Sequence, residues 1–142
     1  MFDTYSKILV IDDMQTMRNI VSRNLKSLGY LKQASDEDGD QAWELIQAEE
    51  IPFDIIVSDW NMPNCSGLEL LKRVRGDARF EKTVFILLTA ESEITQVQEA
   101  LQAGVDNYIV KPFSPQQLEK KFFDTFNRTA ARFGRQKAKK PA

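Results

Sequence analysis

Two apolar runs in this chain stop at carboxylates. Ile8-Leu9-Val10-Ile11 ends at Asp12-Asp13, and Phe53-Asp54-Ile55-Ile56-Val57-Ser58 ends at Asp59. Short, nearly unbroken apolar runs are what strands buried on both faces of a parallel sheet look like. If both runs are such strands, their acidic ends share one edge of the sheet, and ligand sites in open α/β sheets lie outside the carboxyl ends of the strands. Two carboxylates about 4 Å apart repel by roughly 4 kcal/mol at an effective dielectric near 20. Such a pocket must hold a proton or a cation, and its several hard oxygens favour the cation.

The rest of the chain repeats the same alternation of apolar runs and amphipathic segments, the pattern of a βα-repeated parallel sheet. The first strand spans residues 8–11. A helix follows over 16–28, with Met17, Ile20, Val21, Leu25 and Leu28 at helical spacing and Gly29 at its end. The second strand falls near 31–35. Its Lys32, Gln33, Ala34 and Ser35 have little β-propensity, which suits a short edge strand. Residues 36–40 read as a turn, with Asp40 opening a helix to Ala48. The third strand is 53–58, and Ser66 caps a helix carrying Leu68, Leu71 and Val74. The fourth strand is 84–88, and a helix over 93–103 closes on Gly104. The fifth strand is 108–110. Ser114-Pro115 starts the last helix, with Leu118, Phe122, Phe126 and Phe133 on one side. The expectation is an α/β fold of five strands and five helices, as one domain over 1–133 with a basic tail over 134–142.

Composition removes many chemistries. The 142 residues include no histidine and one cysteine, Cys65, which excludes His-based triads, imidazole zinc sites and thiolate clusters. A single cysteine makes no internal disulfide and fits a reducing cytoplasm. No apolar stretch approaches membrane-spanning length, and the start lacks the apolar centre of a signal peptide. The net charge of −2 conceals an asymmetry. Residues 132–142 hold five basic side chains and no acid, so removing those five positive charges leaves −7 on the rest. An acidic body argues against nucleic acid as the main partner, and the basic tail reads as a solvated end.

The expected ends of strands one, three, four and five present Asp12-Asp13, Asp59, Thr89 and Lys111. Any one of them is ordinarily a loop residue or a helix cap. All four at one sheet edge form a complementary set. Carboxylate oxygens suit Mg²⁺, and a carboxylate can attack phosphorus to give an aspartyl phosphate. Thr89 can donate to a phosphoryl oxygen, and Lys111 can supply a point charge to the same group.

At these residues the chain resembles the response-regulator receiver domains, in particular the single-domain chemotaxis regulators. The resemblance covers about residues 6–130. It rests on Val10-Ile11-Asp12-Asp13, Ser58-Asp59-Trp60-Asn61-Met62-Pro63, Thr89-Ala90-Glu91, and the stretch from Ala103 to Phe113 that contains Tyr108 and Lys111-Pro112. It implies a flavodoxin-like, doubly wound five-stranded parallel sheet in the order 2-1-3-4-5. It also implies that Asp59 accepts a phosphoryl group from a histidine kinase, and that Asp13, Asp59 and the carbonyl of Asn61 bind Mg²⁺, with Asp12 acting through water. Thr89 and Tyr108 are implied as the switch, and Lys111 as the phosphate counterion beside a cis bond to Pro112. Trp60 is implied as a fluorescent reporter, and Asn61 and Glu91 as modulators of phosphate lifetime. The downstream partner implied is the flagellar motor switch. Cys65-Ser66-Gly67 stands where many receivers have Met-Asp-Gly, and Ser66 keeps the capping role. Trp43 and the phenylalanines at 122, 123 and 126 read as core.

Two rival readings differ in kind. An aspartate-nucleophile phosphatase would place a general acid two residues after the nucleophile, where this chain has Asn61, an amide that neither gives nor takes a proton. A receiver serving another pathway, or draining phosphate from a shared kinase, would carry the same residues.

Overall fold

A computed structural model describes residues 1–90 and 95–134. Its strands are β1 (Ile8–Ile11), β2 (Gln33–Asp36), β3 (Ile55–Asp59), β4 (Val84–Ala90) and β5 (Asn107–Lys111). They form one parallel sheet in the order β2-β1-β3-β4-β5, as expected. The helices are α1 (Gln15–Ser27), α2 (Gly39–Ala48), α3 (Gly67–Arg75), α4 (Val97–Gln102) and α5 (Pro115–Arg128). Among the described residues, no helix is long and apolar enough to cross a membrane.

Period-2 alternation along the strands builds two cores. Leu9, Ile11, Ile56, Phe85 and Leu87 pack with Ile46 of α2, Leu70 and Val74 of α3, and Ala100 of α4. Ile8, Val10, Ile55, Val57, Ile86 and Leu88 pack with Val21 and Leu25 of α1 and with Leu118 and Phe122 of α5. Helices therefore cover both faces. Burying one large aliphatic side chain contributes about 1.5–3 kcal/mol. β2 (Gln-Ala-Ser-Asp) contributes none of these side chains, so its ladder to β1 holds it.

The structure corrects several boundaries. β2 begins at Gln33 because Leu31 is exposed. α2 is capped by Asp38 rather than opened by Asp40. The Asp38 carboxylate accepts from the N–H groups of Asp40 and Gln41 at 2.7 and 3.2 Å, while Asp40 pairs with Arg73 at 2.9 Å. α5 ends at Arg128, so Phe133 belongs to a separate 3₁₀ turn, Ala130–Phe133, and is 40% exposed. The side chain of Thr129 donates back to the Thr125 carbonyl at 2.9 Å, at the point where the regular helix stops. Ser66 caps α3 as expected, accepting from Glu69 N–H at 3.1 Å. Glu93 and Ile94, the expected start of the fourth helix, lie outside the described residues, as does most of the basic tail.

An ionic cluster ties the end of the sheet opposite the carboxylates together. Asp106 accepts from Phe85 N–H at 2.9 Å, from Arg75 at 2.8 Å, and from Arg132. Arg75 also donates to the carbonyls of Gly104 and Thr83.

Close approach constrains Gly67, where a Cβ would lie 2.2 Å from the carbonyl oxygen of Asp59. Gly67→Ala must move backbone against backbone. We expect a loss of about 1–3 kcal/mol in two-state denaturant unfolding, the usual cost of overpacking; an unchanged midpoint would show that this loop yields freely.

Candidate functional site

β1 and β3 are neighbours, and Ile11 pairs in register with Ser58. The next residues, Asp12 and Asp59, therefore reach the carboxyl edge of the sheet side by side. Carboxylate oxygens of Asp12, Asp13 and Asp59 all lie within 4.8 Å of one another. Asp12 is fully buried, Asp59 is 8% exposed, and Asp13 faces solvent. From the end of β5, Lys111 places its Nζ 3.0 Å from Asp12 Oδ2 and 2.9 Å from Asp59 Oδ1. Asp12 Oδ1 accepts from Met14 N–H at 2.9 Å, which satisfies the buried carboxylate where the chain turns into α1. The Lys111–Pro112 peptide is cis, as expected.

The charges in this pocket do not balance, because three carboxylates face one ammonium. Burial pushes the Asp59 carboxyl above its ordinary range. The hydrogen bond from Lys111 pulls it back, Asp12 and Asp13 add to the rise, and the net direction is up. Burial alone would lower Lys111, but its contacts with Asp59 and Asp12 outweigh that, so its ammonium is held more firmly than usual. The leading causes differ: burial opposes ionisation of Asp59, with Asp12 and Asp13 adding to it, whereas the surplus negative charge around Lys111 keeps a proton on the lysine. A hard divalent cation would relieve that surplus. The donor set fits one, since every side-chain donor is a carboxylate oxygen and Asp13 opens the cluster to water.

Thr89 is buried on β4, one residue past Leu88, the register partner of Asp59. Tyr108 on β5 pairs with Leu87 and Val110 pairs with Thr89, so Tyr108 is the diagonal neighbour of Thr89. The Tyr108 ring packs against the α2–α4 core, with Lys121 Nζ 4.6 Å from its centre. Trp60 is buried; its backbone N–H donates to the Leu88 carbonyl at 2.9 Å and its carbonyl accepts from Gly67 N–H at 2.8 Å. Asn61 lies exposed on the loop beyond it. Glu91 lies outside the described residues.

Sequence reasoning missed the support for this loop. Asp38 Oδ2 accepts from the side chain of Asn64, whose backbone is left-handed at φ 68°. Beside it, a Cβ on Gly39 would lie 2.2 Å from the Cys65 carbonyl oxygen. The start of α2 thus clamps the segment that follows Asp59. The available signals were Asp38-Gly39 at a helix start and Asn64 in a Pro-Asn turn.

Comparison with known proteins agrees with this geometry. Residues 8–123 match the response regulator receiver domain model. The chain is 46% identical over 115 residues to the chemotaxis protein CheY1 of Helicobacter pylori, covering 81% of this chain and 92% of that protein. It is 42% identical over 122 residues to CheY of Pseudomonas aeruginosa, covering 86% and 97%. Among solved structures, the chemotaxis response regulator CheY4 of Vibrio cholerae superposes with a TM-score of 0.75 at 35% identity, over 85% of this chain and 98% of that one. A receiver domain of a Pseudomonas aeruginosa sensor histidine kinase, solved with magnesium coordinated in its active site cleft, superposes with a TM-score of 0.71 at 27% identity, over 82% and 93%. With the sheet order, the acidic cluster and the length of these matches in agreement, this chain belongs to the response regulator receiver domain family.

Proposed function

We propose that this chain is a phosphorylation-controlled switch of a two-component system, with Asp59 as the acceptor of a phosphoryl group from a histidine kinase. The observation that carries this reading is the convergence of Asp12, Asp13 and Asp59 with Lys111 at one sheet edge, in a chain 46% identical to a chemotaxis regulator. Asp13, Asp59 and the Asn61 carbonyl would hold Mg²⁺, with Asp12 assisting through water. The magnesium in the related kinase receiver supports that choice. Bound there, the ion would offset charge on the phosphoryl oxygens.

In the transfer, an Asp59 carboxylate oxygen attacks phosphorus. The P–O bond forms as the P–N bond to the donor imidazole breaks, and the electron pair leaves on nitrogen. Lys111, already 2.9 Å from Asp59, supplies positive charge to the new phosphoryl group. The Thr89 hydroxyl donates to a phosphoryl oxygen, and Tyr108, its diagonal neighbour, repacks inward. Trp60 reports these events by fluorescence, and Asn61 and Glu91 set the phosphate lifetime. Moving a two-state equilibrium from mostly off to mostly on needs about 5.5 kcal/mol of differential stabilisation, which the new bonds and the partner supply together.

The receiver unit is residues 1–133, and 134–142 form its basic tail. Output passes to a separate protein through the surface of α4, β5 and α5 near Ala103, Tyr108 and Lys120. The similarity to chemotaxis proteins supports a chemotaxis kinase upstream, the flagellar motor switch downstream, and a cytoplasmic location. The protein catalyses its own phosphorylation and dephosphorylation and is not a turnover enzyme.

Two measurements test the reading. Intact mass after incubation with Mg²⁺ and acetyl phosphate should show one added phosphoryl group on the parent and none on Asp59→Asn; equal labelling of both would contradict it. The second concerns pH. Because the folded pKa of Asp59 is raised above its unfolded value, stability falls as pH rises from below 3.8 through that folded value. Asp59→Asn should therefore melt higher than the parent at neutral pH in chelator, and the gap should close in acid. Mg²⁺ at a hundredfold its Kd should stabilise the parent by about 2.7 kcal/mol, and the variant by less. A variant that melts lower at neutral pH in chelator would overturn the electrostatic account.

A further inference from the structure

β2 is an edge strand whose second side pairs with nothing among the described residues. Ile8 N–H donates to the Lys32 carbonyl at 2.9 Å and Asp12 N–H to the Asp36 carbonyl at 3.1 Å. In a parallel ladder, successive residues of a strand direct their backbone groups to opposite sides. Lys32, Ala34 and Asp36 therefore serve β1, and Gln33 and Ser35 direct their N–H and C=O groups outward.

A groove lies on each face of this edge. On the α1 face, a groove of about 350 Å³ runs under Asn19, Ser22 and Lys26, with Arg18 beside it. Its lining has two cations and no acid, in a protein whose body is acidic. Gln33 Oε1 is buried there with no hydrogen-bond partner among the described residues, because the Gln33 amide N–H₂ already donates to the carbonyls of Ser22 and Tyr30. On the α2 face, a groove of about 500 Å³ is lined by Tyr5, Ala34, Ile51 and Phe53. Tyr5 is 75% and Ile51 72% exposed. The main charges at its rim are engaged, Lys7 with Glu49 at 3.0 Å and Lys32 over the Tyr5 ring.

A strand added to an open edge gains main-chain hydrogen bonds and sends alternate side chains to opposite faces. We propose that the β2 edge is a docking site for an extended segment of a partner protein in which acidic and apolar side chains alternate. The acidic side chains would enter the groove of Arg18 and Lys26, and the apolar ones would cover Tyr5 and Ile51. Charge excludes the chain's own tail, which is basic and carries no acid. A second copy of β2 offers one acid and no large apolar residue, so it does not complement the grooves.

The test selects binders to the intact protein from a random-peptide display library. It then measures the enriched peptides against the parent, Ser35→Pro and Lys26→Glu. Ser35 is exposed, and proline there removes only an outward N–H, as edge strands tolerate. Both variants should still be phosphorylated by acetyl phosphate, which shows that the fold is intact. The proposal expects enrichment of alternating acidic–apolar sequences, weakening of roughly tenfold or more in each variant, and shifts of the Gln33 and Ser35 amide resonances on binding. Three results would overturn it: no alternating pattern, equal binding to Ser35→Pro or to Lys26→Glu, or dimerisation of the free chain that Ser35→Pro abolishes. The last would assign the edge to a second copy.

Discussion

Burial of negative charge at the end of a hydrophobic sheet is the constraint on which the rest of this structure depends. Asp12 has no exposed surface and Asp59 very little, and an isolated buried carboxylate costs several kcal/mol. Lys111 reaches both from β5, two strands from β3 and three from β1, and compensates part of that cost. Because one ammonium faces three carboxylates, the site is left short of positive charge. That shortage is what a hard divalent cation would relieve.

The loop after Asp59 shows how the fold protects this arrangement. Trp60 bonds to β4, Gly67 closes back onto Trp60 and passes within contact of the Asp59 carbonyl, and Asp38 holds Asn64 from the start of α2. Bonds from β4 and from the start of α2 thus hold the backbone on both sides of Asn61. At the far end of the sheet, Asp106 is held by Arg75 and Arg132, which leaves the two ends anchored by separate charge clusters. The polar strand β2 lies outside both clusters and, among the described residues, presents an open edge beside α1.

Much of this was legible in the residues. β1, β3 and β4 are apolar runs that only a sheet covered on both faces explains, and the carboxylates and lysine stand out because they end such runs. The grouping of Asp12, Asp13, Asp59 and Lys111 followed from strand polarity alone. An edge strand buries too little to leave an apolar pattern, so the residues point to a start near 31 where β2 begins at Gln33. The Asp38 cap was missed because several acids compete in residues 36–40, and only packing decides which one turns inward. The spacing of Phe133 fits the last helix, yet the helix stops at Arg128. The links from Asp38 to Asn64 and from Asp106 to Arg132 each join residues 26 positions apart, and no local pattern announces them.

The most direct test of the central claim is chemical mapping of the phosphorylated residue. Borohydride reduces an aspartyl phosphate to homoserine, so protein treated with Mg²⁺ and acetyl phosphate and then reduced can be digested and sequenced by mass spectrometry. The account predicts homoserine at position 59 alone, and none when Mg²⁺ is chelated. Homoserine at position 12 or 13, or conversion at 59 that ignores the chelator, would contradict it.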